Sequence, residues 1–460
     1  MSGNPPSLKR TLGVWAIVGL GLGYMAPVTV FDTFGIVSEE TSGVVPLAYL
    51  IGLVVLLFTA LSYGSMARAF PAAGSAYTYT RESIHPSLGF LVGWAALLDY
   101  LLLPVVNAVI IRLYMEQFFP DVPGWVWVVG VAALLIGLNI ISVNATSRIN
   151  GVLLISALAG IAAFVVLAAV QIGRGMGEGT LASLRPLWHD DVQLTAVIVG
   201  TTIVAFSFIG FDAVTMYAEE AKDERVVPRA VVLTVLCGGA VFLIGGWFAQ
   251  LAFPTNEVFD YVDDTLPEMA LLVGGQAFQI LFVAVAFAAA VASGLSSHAS
   301  VSRLLYVMGR NGVLPRRVFG VIHPTRRTPL YATVISGAVI LLAVGMSLEL
   351  MSSMISFGAL VAFTFVNLSV IAHYAVRQGR RRTPADIVRF LVLPVIGAIG
   401  TGLLWIHLSP DAMIAGVVWA AVGLVYLIVL TRGFRRPVVS LGIEEAERDP
   451  QGEPEPGLTR

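Results

Sequence analysis

Continuous apolar runs alternate with short polar connections along almost the whole chain. A bilayer core about 30 Å thick is crossed by roughly 20 apolar residues in a helix. Runs of that kind lie at 12–36, 46–67, 89–115, 125–143, 151–173 and 193–218, and again at 230–252, 276–300, 330–348, 352–376, 388–408 and 412–431. They are continuous rather than alternating, which excludes a β-barrel. The pattern predicts an all-α polytopic membrane protein with twelve transmembrane helices. The composition agrees: 57% hydrophobic and 12% charged residues, with a mean hydropathy of +0.85, lie outside the soluble range.

Two of the runs are interrupted. In the first, Gly19, Gly21 and Gly23 lead into Tyr24-Met25-Ala26-Pro27, where Pro27 removes a backbone donor and strains the preceding turn. The sixth breaks at Gly210 and carries Asp212 just beyond it. An acid at membrane depth is costly and rarely idle, and freed backbone groups persist there only where protein or a wet cavity satisfies them. Phe31-Asp32 and Phe211-Asp212 follow the two breaks as a weak internal echo. Interrupted helices in corresponding places of two halves point to an inverted-repeat transporter with a midplane site. The expected organisation is a cytoplasmic N-terminus at 1–11, a first repeat at 12–173, an extracytoplasmic linker at 174–192 and a second repeat at 193–376. Two peripheral spans at 377–432 and a disordered acidic tail at 433–460 complete it.

Charge orients the chain, because Lys and Arg resist translocation. Lys9, Arg10, Arg68, Arg81, Arg148, Lys222, Arg225 and Arg229 fall on one side of a twelve-span chain. So do Arg310, Arg316, Arg317, Arg326 and Arg327, the run Arg377 to Arg382, and Arg432, Arg435 and Arg436. Both termini are therefore expected in the cytoplasm, with the first helix as its own insertion signal and no cleavable leader. The opposite loops carry Arg112, Arg174 and Arg185, and the connection between the seventh and eighth spans holds Glu257, Asp260, Asp263, Asp264 and Glu268. Those acids either concentrate cations or form an ordinary solvated loop. Cys237 is the only cysteine and falls inside a span, so neither a disulfide nor a Cys-based metal site is expected.

The run Phe208 to Ala230, FIGFDAVTMYAEEAKDERVVPRA, resembles the sixth-helix signature of the amino acid, polyamine and organocation transporter superfamily. Tyr63 to Tyr79, YGSMARAFPAAGSAYTY, and Ser300 to Pro315, SVSRLLYVMGRNGVLP, resemble it too. LGYMAPVTVFDTFGIV (22–37), LVGWAALLDYLLLP (91–104), TLASLRP (180–186) and FGALVAFTFVNLSVIA (357–372) are similar to bacterial putrescine importers. The resemblance implies a five-plus-five inverted-repeat, LeuT-like fold in the bacterial inner membrane, with alternating access and uptake driven by an ion gradient.

A diamine needs carboxylates, aromatic faces for its ammonium groups and an apolar middle. Asp212 ranks first, as the acid that meets substrate amine or proton in the resembling carriers; it also suits a cap on the second half of the broken helix. Asp99 and Tyr100 are adjacent and cannot share a helix face. The resemblance turns Tyr100 to the substrate and leaves Asp99 as a second ammonium acceptor or a structural partner. Asp32 either senses entering cations or is structural. Glu219 and Glu220 form a cytoplasmic salt-bridge latch or contact amine and proton directly. Phe208 and Phe211 flank the break at Gly210, and either closes over substrate or belongs to the core. Tyr24 and Trp94 are further cation-facing candidates. Pro27 weakens carboxylate binding, which favours a diamine over an amino acid, although Gly21 and Gly23 leave an amino acid possible.

For coupling, Asp212, Glu220 and His298 are the proton candidates, His298 because imidazole titrates near neutrality. Sodium at Ser296 and Ser297 is the other option. The reading is a secondary importer of putrescine or a related diamine, with an amino-acid permease or amine exchanger as the alternative. No metal cluster, P-loop or nucleophile motif is present, so neither cofactor nor enzymatic activity is expected. Nucleic acid is not an expected partner, because topology accounts for the Arg clusters.

Overall fold

The computed structural model describes residues 11–70, 75–141, 147–218, 221–323, 328–438 and 441. Among them ten helices are long and apolar enough to cross a membrane, and two shorter apolar helices, Gly124–Ile140 and Leu330–Val344, fall where the fourth and ninth runs were read. The protein is an all-helical, multi-pass membrane protein. Span one is built from Val14–Met25, Thr29–Asp32 and Phe34–Thr41; span two is Val45–Ala69, span three Pro86–Phe118 and span five Ser147–Gly173. Span six consists of Leu194–Phe208 and a 3₁₀ segment, Asp212–Ala218, and span seven is Val226–Ala252. Spans eight and ten to twelve are Leu266–Arg310, Leu348–Arg377, Pro384–Ile406 and Pro410–Leu430.

Several of these helices begin where their first residues dictate. Span three opens on Pro86 after His85, whose ring accepts from the Ser87 amide, and Ser347 and Ser409 cap spans ten and twelve. Hydroxyl caps satisfy an orphan amide, and proline in the first turn costs no hydrogen bond. Lipid tails are as apolar as leucine, so helices associate through close fit rather than hydrophobic burial. Spans three and ten meet where a Cβ on Gly358 would lie 2.5 Å from the Ala95 carbonyl oxygen. Spans three and twelve are joined by a reciprocal pair of hydrogen bonds: Trp94 Nε1 donates to the Trp419 carbonyl at 3.0 Å and Trp419 Nε1 to the Trp94 carbonyl at 2.8 Å. The two rings stack at 5.0 Å, and Gly423 leaves room for Trp94.

One end of the molecule is basic. The Lys222 amide donates to the Leu12 carbonyl at 3.0 Å, bringing the chain's start beside the end of span six. Arg68, Arg225, Arg229 and Arg389 lie within electrostatic range of one another at that end. The other end holds the acidic connection between spans seven and eight, whose Glu257, Asp260 and Asp263 are exposed while Phe259, Asp264 and Thr265 are buried against span one. Thr265 Oγ1 donates to the Phe31 carbonyl at 2.8 Å, Asn256 Nδ2 donates to the Gly35 carbonyl at 2.8 Å, and Phe259 packs edge-on against Phe34. Gly35 accepts the Val262 carbonyl at a separation that a side chain would forbid. The connection therefore lies on the second half of span one, the end that the charge pattern predicts to be outer, and Asp264 is fully buried. Span eight also starts earlier than the apolar run at 276–300 indicates. Its helix begins at Leu266 and is interrupted at Gly275, whose φ of 75° and ψ of 179° are open to glycine.

The tight contact at Gly358 gives a direct test. Gly358→Ala is expected to cost about 1–3 kcal/mol through overpacking against span three, read as a lower melting temperature of the detergent-solubilised protein. Gly130→Ala, where no atom lies within 4 Å of the new methyl, leaves that temperature unchanged or higher.

Candidate functional site

The helix of span one ends at Met25, and Ala26 adopts a left-handed conformation with φ 43° and ψ 75° before Pro27. Span six ends at Phe208; Ile209 is extended and Gly210 has φ 116°. These two breaks touch. A Cβ on Gly210 would lie 2.7 Å from Tyr24 Cβ and 3.1 Å from the Met25 amide nitrogen, so only glycine lets the backbones meet. Gly21 packs in the same way against Val214 and Thr234.

Asp212 caps the segment that follows. Its Oδ1 accepts from the Gly210 amide at 3.2 Å, and the Asp212 and Ala213 amides also direct their hydrogens at the carboxylate. Thr215 Oγ1 donates back to the Asp212 carbonyl at 2.7 Å. Across the break, Asp99 of span three lies within reach of the Asp212 charge. Asp99 and Asp212 are both partly exposed, yet Asp99 Oδ1 is buried and has no hydrogen-bond partner among the described residues. A carboxyl with an unsatisfied oxygen near a second acid has the chemistry to accept hydrogen bonds from a cation. Gly23 and Tyr24 on span one are exposed beside the break.

The other candidates divide by face. Tyr100, one residue on from Asp99, packs against the cluster of Val301, Leu305 and Ala332, as adjacent helical positions require. Phe208 is fully buried between Tyr49 and Phe242. Phe211 is fully buried against Tyr63 at 5.6 Å and Phe363 at 5.0 Å. Trp94 faces span twelve rather than the break. Asp32 is buried under the outer connection and accepts from the Tyr114 hydroxyl at 2.7 Å. His298 is fully buried with both ring nitrogens engaged, Nδ1 with Asn139 Nδ2 at 3.0 Å and Nε2 with the Thr333 carbonyl at 3.0 Å. The carbonyl needs Nε2–H and the amide donor needs a bare Nδ1, so these partners select a neutral imidazole. Glu219 and Glu220 lie outside the described residues.

Two polar residues of the outer end, Tyr114 and Asp264, were not singled out by sequence. For Asp264 a signal existed: Asp264-Thr265-Leu266-Pro267-Glu268 reads as a helix start, with proline in the first turn and an acid after it. The Asp264 side chain indeed accepts from the Leu266 amide at 3.4 Å.

The family model for amino acid permeases matches residues 17–435. The low-affinity putrescine importer PlaP of Escherichia coli (strain K12) is 45% identical over 432 residues, covering 94% of this chain and 96% of that protein. The branched-chain amino acid permease BcaP of Bacillus subtilis (strain 168) is 24% identical over 93% of this chain and 94% of its own length. Mouse cationic amino acid transporter 4 is 27% identical over 79% of this chain and 60% of its own. These relatives are transporters by name, and none is an enzyme.

Gly210→Ala tests the contact between the breaks. A methyl there meets Tyr24 and holds a left-handed φ, so the substitution is expected to cost about 1–3 kcal/mol, seen as a lower melting temperature. Unchanged stability would mean that the two breaks do not meet.

Proposed function

The chain belongs to the amino acid permease family, and on that premise we propose that it imports putrescine or a closely related diamine across the bacterial cytoplasmic membrane by alternating access, with protons as the coupling ion. Spans one to five and six to ten act as two inverted repeats around the breaks, and both termini face the cytoplasm at the basic end.

The observation that carries the substrate class is the pair Asp99 and Asp212 at the junction of the breaks. An ammonium group seated between them donates to the unsatisfied Asp99 oxygen and offsets the repulsion between like charges. The amides of Gly210, Asp212 and Ala213 already serve the Asp212 carboxylate, and Pro27 has no amide hydrogen. Those are the groups with which an interrupted helix would hold a substrate carboxylate, so an amino acid loses its main anchor while a diamine loses nothing. The second ammonium extends over the exposed face of span one, where the Tyr24 ring supplies a cation–π partner. The high identity to a putrescine importer supports the same reading.

An ammonium and a proton together neutralise two carboxyls, which gives the coupling a place at the same pair. The partners of His298 argue against that role, because protonation would set Nδ1–H against the Asn139 donor. The burial of Asp32 and Asp264 at one end and the exposure of Gly23 and Tyr24 beside the breaks support a carrier closed on the outside.

Uptake of radiolabelled putrescine by purified protein in liposomes tests the proposal. An inward proton gradient drives accumulation, diamines compete and amino acids do not. Accumulation blocked by amino acids would make the chain an amino-acid carrier, and dependence on sodium alone would remove the proton. Asp212→Asn and Asp99→Asn each lower uptake at least tenfold, the equivalent of about 1.4 kcal/mol. His298→Gln preserves the pH dependence of uptake.

A further inference from the structure

At the outer end a second pair of acids is sealed from water. Asp32 is 3% exposed and Asp264 is not exposed at all. The residues beside them are tied together by Thr265 Oγ1 donating to the Phe31 carbonyl at 2.8 Å, and span three closes the pocket from the side. Tyr114 donates its hydroxyl to Asp32 Oδ1 at 2.7 Å, and Gln117 Nε2 donates to the Asp264 carbonyl at 2.9 Å. Asp264 Oδ1 accepts from the Leu266 amide, while Oδ2 is buried with no partner among the described residues. The titratable groups facing the pair are Tyr49 on span two, Tyr114 on span three, Asp263 on the connection and Glu268 in the first turn of span eight. None carries a positive charge, and no ion pair to Asp32 or Asp264 occurs among the described residues.

We infer that Asp264 and Asp32 form a proton-binding site, and that one proton on Asp264 latches the connection between spans seven and eight over the outer half of span one. Two ionised carboxyls with no cation beside them are not kept dry, because each desolvated charge costs several kcal/mol and the two repel. The Tyr114 hydroxyl stabilises the ionised form of Asp32, so the proton belongs to Asp264, whose unsatisfied oxygen receives it. Burial, and after it the Asp32 carboxyl, hold Asp264 well above the ordinary carboxylate range. An acid that binds its proton more tightly when buried favours the closed arrangement at low pH, and that advantage is lost as pH rises through the raised value. When the connection lifts, Asp264 meets water and returns toward its ordinary range. The outer end therefore shuts in response to acid outside. Neither central carboxylate takes part, and the inference rests on the transporter reading only for which side is outside.

Two substrate-free measurements on the full-length protein in lipid test this. Infrared difference spectra taken through a pH titration are expected to contain the carbonyl stretch of a protonated carboxylic acid persisting above the ordinary carboxylate range, and Asp264→Asn is expected to lose it. In a Cys237→Ser background, the thiol introduced by Val262→Cys is expected to react with a membrane-impermeant maleimide several-fold faster as pH rises. Adding Asp264→Asn, which fixes a neutral side chain at the latch, holds that reaction at the slow rate at every pH. A persistent band in Asp264→Asn, or labelling that keeps its pH dependence there, overturns the assignment. Neither readout uses putrescine, so the result is separate from whether a diamine is carried.

Discussion

The site depends on one constraint of hydrocarbon: a backbone amide or carbonyl left without a partner there costs so much that a helix cannot simply stop. Spans one and six stop at the same depth because each break is the other's neighbour. Gly210 accepts the backbone at Tyr24 and Met25, and Asp212 collects amides that the break at Gly210 sets free. The carboxylate that marks the site in sequence is thus also the group that makes the interruption tolerable. Chemistry and architecture share one side chain, which leaves the facing Asp99 as the member of the pair with hydrogen-bonding capacity to spare.

Positive charge is kept away from both acid pairs. The basic side chains gather at the end where Lys222 meets Leu12 and where Arg68, Arg225, Arg229 and Arg389 lie together. Between that end and the outer connection, carboxyls are answered by hydroxyls and amides: Tyr114 for Asp32, the backbone of Gly210 and Ala213 for Asp212, and the Leu266 amide for Asp264. Polar partners of this kind satisfy geometry without cancelling charge. A fixed lysine or arginine at either pair would compete with any mobile cation, and among the described residues no ion pair involves these acids.

Much of the fold could be read from the sequence, because membrane thickness imposes a length and Gly or Pro imposes a break. The apolar runs coincide with the helices, and the interruptions at Pro27 and Gly210 are where the backbone turns. Facing was harder. Asp99 and Tyr100 are one residue apart, and only tertiary packing separates the carboxyl beside Asp212 from the ring against Val301 and Leu305. Phe208, Phe211 and Trp94 are aromatic side chains whose partners come from spans distant in sequence, so local pattern gave no means of separating core from cavity. The acidic connection was hardest, because a loop rich in Asp and Glu reads as solvated. Glu257, Asp260 and Asp263 are exposed, but Asp264 is buried where bonds to Phe31 and Gly35, more than two hundred positions away, hold the connection against span one. Gly275 similarly interrupts a helix whose first turns, with Glu268 as their one charge, continue directly from the acidic connection.

Span eight carries a mechanical consequence. From 276 to 310 it is an uninterrupted helix, about 50 Å long at 1.5 Å per residue, against a hydrocarbon core of about 30 Å. It starts at the Gly275 joint, and just past its last turn the Tyr426 hydroxyl of span twelve donates to the Val313 carbonyl. A rod of that length pivoting by roughly 10° moves its far tip by roughly 9 Å while its pivot stays still. Any tilt about the Gly275 joint is therefore felt most at the far end of the rod, where the Tyr426 bond to Val313 restrains it.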